Sequence, residues 1–452
     1  MIKKSNTLVA SALALALQGA ALQAAVAPDE AAQLGTTLTP IGAEKAGNAD
    51  GSIPAWTGGL GENFSGDRYQ DPFAKDQVLF TITAANAEQY RDRLTDGQIA
   101  LLKKYPDSYK INVYPTHRSA AFPQRVFDVA KKNATQTTLA EGGNGLLNFE
   151  ETIPFPIPKS GVEVIWNHIT RYRGGSLERT QVQVPVHRNG NYTPVRLRER
   201  LVWPQYLEEG FDAKKDENIL NYFTQKVLAP TRLTGNVLLI HETLDQVKEP
   251  RKAWQYNAGQ RRVRRAPQVA YDAPGTAAEG LRTADNLDMY NGAPNRYDWK
   301  LIGKKELYIP YNSFKLASRD LKYSDILQPG HLNPDLLRYE LHRVWVVEAT
   351  LKEGERHVYA KRRFYIDEDS WQASVVDHYD ARGELWRVGE AHAFQYQDAK
   401  VLWHVGEALH DLVSGRYLVG SLTNEEKEGF KFGTSLSRKE FTTSAIRRSG
   451  KR

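Results

Sequence analysis

The sequence predicts a mainly β fold, built as one large, open and incomplete antiparallel β-barrel with a few covering helices. The C-terminal third contains regularly spaced strand-like segments, which are separated by short turns rich in Gly, Asp and Ser. Only a few other segments have helical periodicity. Aromatic residues make up 10% of the 452 residues, which is far more than a disordered chain contains.

The N-terminal region divides into a signal peptide and an arm. Residues 1–25 predict a secretory signal peptide, because Lys3 and Lys4 precede a short apolar core and small residues follow it. Since the chain has no Cys to carry a lipid anchor, the exported protein is expected to be soluble and periplasmic. Residues 26–83 are rich in Gly, Pro, Thr and Asp, and they predict an extended, ordered arm.

The rest of the chain is predicted to form one β domain, residues 84–433, followed by a basic C-terminal tail, residues 434–452. Helices are predicted over residues 85–105, where Gly97 indicates a break, and over residues 216–228. Upstream strands are predicted over residues 237–244 and in a hairpin of residues 253–257 and 261–265. The C-terminal meander is predicted to contain residues 339–351, 357–366, 371–379, 385–396, 399–409 and 416–422.

Composition and motifs exclude several classes of function. Without Cys the chain has no thiol nucleophile and no Cys-ligated zinc or iron–sulfur site. The net charge of +6 is small for this length and, together with the export signal, argues against a nucleic-acid partner. The serine-hydrolase, dinucleotide-binding, P-loop and H-E-x-x-H motifs are all missing from the sequence. We therefore expect no cofactor and no metal.

Two acidic clusters are candidates for carboxylate chemistry. Asp367, Glu368 and Asp369 form the first, and Asp377 and Asp380 belong to the second. A retaining glycosidase needs two carboxyl groups that face each other at roughly 5 Å across a cleft. Both clusters fall at predicted turns, where Asp side chains cap the backbone. The turn interpretation is favoured, and no catalytic residue is predicted.

Basic and aromatic residues are the candidates for ligand binding. The run around Arg262 and Arg264 either binds phosphates or lipid head groups, or protects an exposed edge strand from aggregation. Aromatic side chains on separate strands would line an apolar pocket in a sheet that curves around a cavity, or form the core of a sandwich. The aromatic candidates are Trp254, Tyr256, Trp345, Tyr359, Trp371 and Trp386.

Several sequence blocks occur together as they do in one known family. They include Asp50-Gly-Ser-Ile-Pro-Ala-Trp-Thr-Gly-Gly59, Val113-Tyr-Pro-Thr-His-Arg118, Ile165-Trp-Asn-His168, Arg171-Tyr-Arg-Gly174, Arg251-Lys-Ala-Trp-Gln-Tyr256 and Arg363-Phe-Tyr-Ile-Asp-Glu-Asp-Ser-Trp371. From about residue 38 to residue 433, the chain resembles a family of exported proteobacterial proteins of unknown function, called outer-membrane lipoprotein-sorting-like and related to the LolA/LolB lipoprotein carriers. The resemblance implies the fold of those carriers, an incomplete antiparallel barrel with helices over its concave, apolar side.

These observations favour a non-enzymatic periplasmic carrier or chaperone for a hydrophobic ligand, either a lipid or the acyl chains of a lipoprotein. The six aromatic residues would line the cavity or its rim. Arg262 and Arg264, or Arg261 and Arg265 on the opposite face, would meet an anionic head group. The alternative is an accessory subunit of an envelope export system of the resistance-nodulation-division type, which docks on an inner-membrane transporter and an outer-membrane protein. A third hypothesis, a polysaccharide or lipid hydrolase, depends on the acidic clusters and the aromatic content.

Overall fold

One large β-sheet organises the chain. A computed structural model describes residues 25–450, apart from residues 62, 63, 65, 267, 268 and 270. The predicted signal peptide, residues 1–25, lies outside the described residues except for its last residue. No helix in the described part combines the length and the apolarity that crossing a membrane requires.

Eighteen strands lie within the described residues. Four short strands come first: β1 Phe80–Ile82, β2 Ile111–Val113, β3 Thr138–Leu139 and β4 Leu146–Leu147. Six strands follow in the middle of the chain: β5 Ser176–Val186, β6 Val195–Val202, β7 Ile219–Ala229, β8 Val237–Thr243, β9 Lys252–Asn257 and β10 Arg262–Arg265. The last eight are β11 Tyr297–Pro310, β12 Tyr339–Leu351, β13 Lys361–Asp367, β14 Ala373–Tyr379, β15 Leu385–Tyr396, β16 Val401–Asp411, β17 Tyr417–Leu422 and β18 Phe430–Phe432.

The large sheet is antiparallel and open. Its strands follow the order β1-β2-β12-β13-β14-β15-β16-β17-β5-β6-β7-β8-β9-β10, with β11 paired to β12 and β18 paired to β5. Neighbouring strands run antiparallel except at the contact between β2 and β12, which is parallel. Within the described residues β1 and β10 end this order without pairing to each other, so the sheet does not close. The predicted mainly β fold with a large open antiparallel sheet is confirmed.

Short helices accompany the sheet. They are α1 Pro28–Ala31, α2 Asp96–Lys104, α3 Gln124–Gln136, α4 Gly161–Thr170, α5 Ala213–Asp216, α6 Tyr323–Ile326 and α7 Thr443–Ser449. The helix predicted over residues 85–105 is confirmed as two pieces, the 3-10 helix Ala87–Arg93 and α2. The break comes before Gly97, because Thr95 caps α2 by a reciprocal pair of hydrogen bonds with Gln98, each 3.1 Å long.

The predicted C-terminal meander and the β9–β10 hairpin are confirmed. Strands β12 to β17 pair with one another in sequence order. In the hairpin, Tyr256 pairs with Val263. The largest difference in a boundary is at β13, which begins at Lys361, so that Tyr359 lies in the connection before it.

The helix predicted over residues 216–228 is wrong. Only the short α5 lies at its beginning, and the following eleven residues form strand β7. Both faces of β7 are covered, because Phe223 packs on one side of the sheet and Tyr222 packs on the other. Apolar residues therefore occur on both faces, and their spacing imitates a helical period. Asn221 and Gln225, which are buried beside Phe223, also interrupt the alternation expected of a strand.

The arm is attached to the rest of the protein by buried side chains. Trp371 Nε1 donates a hydrogen bond to Ile41 O at 3.1 Å. Arg118 Nη2 donates to Glu44 O at 2.7 Å. Because both donors lie far along the chain from residues 26–83, these contacts are tertiary and fix the path of the arm.

The C-terminal residues cover one face of strands β8 and β9. Phe441 and Ile446 pack in one core cluster with Tyr256. His241 Nε2 donates to Phe441 O at 2.8 Å. The segment that the sequence identifies only as a basic tail therefore contains the packed helix α7.

Helix α2 packs closely on strands β14 and β15 at Gly97. A Cβ at this position would lie 2.2 Å from Asp377 Oδ1 and 2.6 Å from a methyl group of Val388. Gly97→Ala is therefore expected to lower the free energy of unfolding by about 1–3 kcal/mol, although Ala is the better helix former. Urea denaturation measures the change.

Gly420→Ala is the matched control, because a Cβ there would meet no heavy atom of the described chain within 4 Å. An equally small effect in both variants would contradict the close contact at α2.

Candidate functional site

Two small cavities lie against one face of strands β6, β7 and β8. On this cavity face Leu201 pairs with Phe223, and Phe223 pairs with Ile240 across the next strand. The first cavity has a volume of about 60 Å³ and the second a volume of about 50 Å³. Phe223 and Ile240 line both cavities, which are therefore adjacent.

Residues 271–291, which we call the covering segment, lie over the cavities. This segment contains the 3-10 helix Ala284–Asn286 and a single-residue bridge, but no strand. Leu287 lines both cavities. Asp288 and Met289 have φ angles of 56° and 66°, so the backbone bends at this point into a region that L-residues rarely adopt.

Asp288 is the main attachment of the covering segment. Its carboxylate pairs with Arg171 at 2.5 Å and with Arg173 at 2.7 Å, both of which follow α4. It also accepts hydrogen bonds from Trp403 Nε1 at 3.1 Å and from His404 Nε2 at 3.0 Å, both on β16. Burial by itself would raise the pKa of Asp288, but the two guanidinium groups outweigh it and hold this pKa well below its ordinary value.

His168, within α4, holds the backbone of the same segment. Its Nε2 donates to Asp288 O at 3.0 Å, and its Nδ1 accepts from Ala373 N at 3.0 Å. Burial, followed by the positive charge of Arg171, lowers the pKa of His168 to about 3. The imidazole is therefore neutral and provides one donor and one acceptor.

Arg251, immediately before β9, connects the two ends of the covering segment. Its Nη1 donates to Val269 O at 2.7 Å, just before the segment, and its Nη2 donates to Asn291 O at 2.5 Å. Its countercharge is Glu242, which lies on the cavity face of β8. Both ends of the segment are thus held by one buried guanidinium group.

The cavity face also carries a buried ion pair. Arg179 Nε lies 2.5 Å from Glu199 Oε2, and Gln225 Nε2 donates to Glu199 Oε1 at 2.6 Å. Burial alone would raise the pKa of Glu199, but the charge of Arg179 and the amide donors outweigh it and lower this pKa. This carboxylate is therefore ionised and fully engaged inside the protein.

The predicted ligand-binding residues of the β9–β10 hairpin divide between two faces of the sheet. Trp254 and Tyr256 lie on the face opposite the cavities, where Tyr256 packs against the C-terminal residues. Arg262 and Arg264 lie on the same face of the sheet as the cavities. Arg264 pairs with Gln255 of β9, and Gln255 pairs with Leu238 of β8, which lines the second cavity. Both arginines are exposed at the edge of the sheet.

The other four predicted aromatic residues form two separate pairs. The rings of Trp345 and Trp371 are nearly parallel, with centroids 6.3 Å apart. The rings of Tyr359 and Trp386 meet edge to face at 5.6 Å. None of the six predicted aromatic residues lines either cavity, so their role in ligand binding stays a prediction.

None of the residues that line the two cavities was a ligand-binding candidate from the sequence, and Phe223, Leu287 and Trp403 are examples. Phe223 belongs to the segment that was predicted as a helix, so the sequence did not place it on a sheet face. Leu287 follows a stretch without any periodic pattern, so the sequence contains no signal for it. Trp403 lies on a correctly predicted strand, but nothing in the sequence distinguishes it from the other tryptophans.

A sequence model of the family described as "Protein of unknown function (DUF1329)" matches residues 81–447. The chain belongs to this family. The matched residues contain both cavities, the covering segment and the side chains that hold it. The inference from the sequence blocks, that the chain is a member of a family of unknown function, is confirmed.

Known proteins similar to this DUF1329 chain include one close relative and two distant structures. Uncharacterized protein PA3922 of Pseudomonas aeruginosa is 61% identical over 444 residues, which cover 97% of each chain. A domain of a predicted outer membrane lipoprotein-sorting protein from Vibrio parahaemolyticus matches with a TM-score of 0.44 and 15% identity, over 64% of this chain and 98% of that one. LolA superfamily protein NE2245 from Nitrosomonas europaea matches with a TM-score of 0.38 and 11% identity, over 64% and 99%.

Apart from Asp380, the carboxyl groups of the acidic clusters are buried in the interior of the protein. The sequence predicts both Asp377 and Asp380 at a turn. Asp377 instead lies within β14, whereas Asp380 does occupy the turn that follows. Asp369 accepts two hydrogen bonds from Arg118, at 2.7 and 2.8 Å. Burial and then the charge of Asp369 raise the pKa of Asp367 to about 7. Neither cavity is lined by any of these carboxyl groups.

One group of side chains has the spacing of a metal site. His342, Asp367 and Asp369 offer ligand atoms that all lie within 4.8 Å of one another. Arg118 already neutralises Asp369, and Ser370 Oγ donates to Asp367 at 2.5 Å. These contacts occupy the carboxylate oxygens that a cation would need.

Removing the charge of Asp288 is expected to destabilise the protein strongly. Asp288→Asn keeps the shape of the side chain but leaves Arg171 and Arg173 without a countercharge in the interior, which costs about 3–5 kcal/mol. Urea denaturation should show this loss. Asp298→Asn, at an exposed position on β11, should change the free energy of unfolding by less than about 0.5 kcal/mol. Equal effects of the two substitutions would contradict the role of Asp288 as an attachment.

The buried Asp377 predicts that stability depends on pH. Burial, followed by the charge of Asp96, raises the pKa of Asp377 to about 7 in the native state, against about 3.9 in an unfolded chain. Between about pH 4 and about pH 7 the native state keeps a proton that the unfolded state releases. Stability therefore falls as the pH rises through this range, and this group contributes up to about 4 kcal/mol of the decrease.

Asp377→Asn should reduce this decrease in urea denaturation at a series of pH values, and the part that remains is expected from Asp367 and Glu390, whose pKa values are also raised to about 7. Asp380→Asn is the control and should leave the slope unchanged, because the pKa of Asp380 is lowered and lies below this range. A slope in Asp377→Asn equal to that of the wild type would contradict the role of Asp377.

Proposed function

We propose that the protein is a periplasmic, non-catalytic carrier, which binds a lipid or the acyl chains of a lipoprotein beneath the covering segment. The observation that carries this proposal is the pair of cavities between an apolar sheet face and a segment with little regular structure. Leu201, Phe223 and Ile240 supply the sheet side, and Leu287 supplies the covering side. Ligand pockets commonly combine such apolar walls with a few polar groups.

The cavities as they stand are too small for an acyl chain. Volumes of 60 and 50 Å³ leave room for only a few water molecules each. Binding therefore requires the covering segment to move away from the sheet. Each methylene group that then leaves water contributes about 0.8 kcal/mol, so burial alone can provide the affinity without covalent chemistry.

The attachments of the covering segment define how it would open. Asp285 and Asp288 hold its second half through buried ion pairs. Residues 271–283 are attached by hydrogen bonds, by the packing of Ala278 and Leu281 against Leu418, and by the partly exposed ion pair between Glu279 and Arg416. Exposed ion pairs contribute little to stability. Residues 271–283 are therefore the part that can move away from the sheet, while the second half of the segment stays in place.

Two further observations support a non-catalytic role in the periplasm. The predicted signal peptide supports export. The carboxyl groups of Asp367, Asp369 and Asp377 lie in the interior and outside the cavities, where they do not meet a ligand held beneath the covering segment.

Filling the cavities should block ligand binding. Leu287→Trp places a larger side chain at a position that lines both cavities, and we expect it to weaken binding of a fluorescent long-chain fatty acid by about tenfold or more. Leu79→Trp is the matched control, because Leu79 is 59% exposed, and it should bind the probe as the wild type does. Fluorescence titration measures both affinities, and equal affinities in the two variants would place the ligand elsewhere.

Lipid extraction and native mass spectrometry of the protein purified from the periplasm test the proposal directly. A bound lipid, whose mass disappears on extraction, is the expected result. A folded protein that carries no lipid and binds neither fatty acids nor a hydrophobic dye would contradict the carrier function. That outcome would favour the alternative, an accessory subunit that docks on a transporter.

A further inference from the structure

One arginine side chain in the second cavity has no hydrogen-bond or ion-pair partner among the residues that the structure describes. Arg282 belongs to the covering segment, is 7% exposed and lines the second cavity. Its side chain forms no hydrogen bond or ion pair with any residue that the structure describes, and its Nε is buried without an acceptor. By contrast, the other arginines that line the two cavities, Arg173, Arg179 and Arg251, each have a carboxylate partner.

The acidic side chains that attract Arg282 are already engaged. Glu199 and Glu407 act on Arg282 without forming an ion pair with it. Glu199 is paired with Arg179, and Glu407 accepts a hydrogen bond from Met289 N at 3.1 Å. Burial is the largest influence on Arg282 and lowers its pKa, as expected for a cation in the interior without a countercharge.

The local backbone holds Arg282 in this position. Pro274 and Thr283 form the single-residue bridge of the covering segment, and Gly275 N donates to Arg282 O at 2.8 Å. A Cβ on Gly275 would lie 3.1 Å from Arg282 Nε, so the glycine leaves the room that this side chain occupies. The guanidinium group is therefore held at the cavity by its own segment and not by an acidic partner.

We propose that Arg282 binds the anionic head group of the carried ligand, a carboxylate or phosphate group attached to an acyl chain. The proposal rests on the carrier function proposed above and names the head-group chemistry of the same site. The head group would occupy the second cavity, and the chain would extend past Phe223 and Ile240, which line both cavities. The anion would supply, through charge-assisted hydrogen bonds, the countercharge that no described residue provides by pairing with Arg282.

The test compares three sixteen-carbon ligands that differ only in the head group: hexadecanoate, hexadecyl phosphate and hexadecanol. The purified protein is expected to bind at least one of the two anions about tenfold or more tightly than the alcohol. Arg282→Met removes the charge and keeps a long side chain, so it should abolish this preference and leave the affinity for hexadecanol unchanged. Arg382→Met, at a turn where 79% of the side chain is exposed, should keep the wild-type preference.

The outcomes separate this proposal from the carrier function. If the wild type binds none of the three ligands, the carrier function fails, and the role of Arg282 fails with it. If the wild type binds the anions and the alcohol equally, or if Arg282→Met keeps the preference for anions, the carrier function stands and the role of Arg282 is wrong. A preference for only one of the two anions supports the proposal and identifies the head group.

Two further measurements keep the test independent of a folding defect. Arg282→Met is expected to raise the Tm of the ligand-free protein, because it removes an unpaired buried charge. A lower Tm would show that the guanidinium group is structural and would overturn the proposal. Gly275→Ala crowds Arg282 Nε and should weaken binding of the anions but not of hexadecanol. An equal loss for all three ligands would also contradict the proposal.

Discussion

The carboxylate of Asp288 is the interaction on which the arrangement of the site depends. It joins Arg171 and Arg173, which follow α4, to Trp403 and His404 on β16. Replacing a buried ion pair with apolar groups often costs little, whereas removing one partner strands a charge in the interior. The main effect of the contacts around Asp288 is therefore to fix the position of the covering segment, and their net contribution to the free energy of unfolding is secondary. Any movement of the segment that opens the cavities has to leave these contacts in place.

An open sheet leaves two faces to be covered, and the protein covers them differently. On one side of strands β8 and β9, helix α7 brings Ile446 into a packed cluster with Tyr256. On the other side, the covering segment is a series of turns around the short helix Ala284–Asn286. Turns present fewer side chains to the sheet than a helix does, and two cavities remain on this side. The two covers therefore differ in how they pack on the sheet, and the cavities lined by Phe223 and Ile240 lie on the side of the covering segment.

Sequence patterns predicted the fold where structure is local. In the meander from β12 to β17 each strand pairs with the next along the chain, so alternation and turn residues are sufficient. Strand β7 could not be recognised in this way, because its faces are covered by segments distant in sequence. Tyr222 contacts the C-terminal region and Phe223 faces the covering segment, so the pattern in β7 reflects two tertiary environments at once. Element types that depend on such contacts are not encoded in a short window.

The candidate site was harder to predict, because an aromatic candidate for the pocket lies in the core, whereas charged residues are buried and hold the covering segment. Trp371, a natural candidate for an apolar pocket, is fully buried and donates its indole N–H to Ile41 O. The charged residues of one family-typical block, Arg171 and Arg173, are buried instead and hold the covering segment. A buried arginine looks the same in sequence whether it has a carboxylate partner, as Arg173 has, or has none among the described residues, as is the case for Arg282. Only the tertiary structure separates the two cases, because the partners are distant in sequence, and a buried charge without a partner is costly.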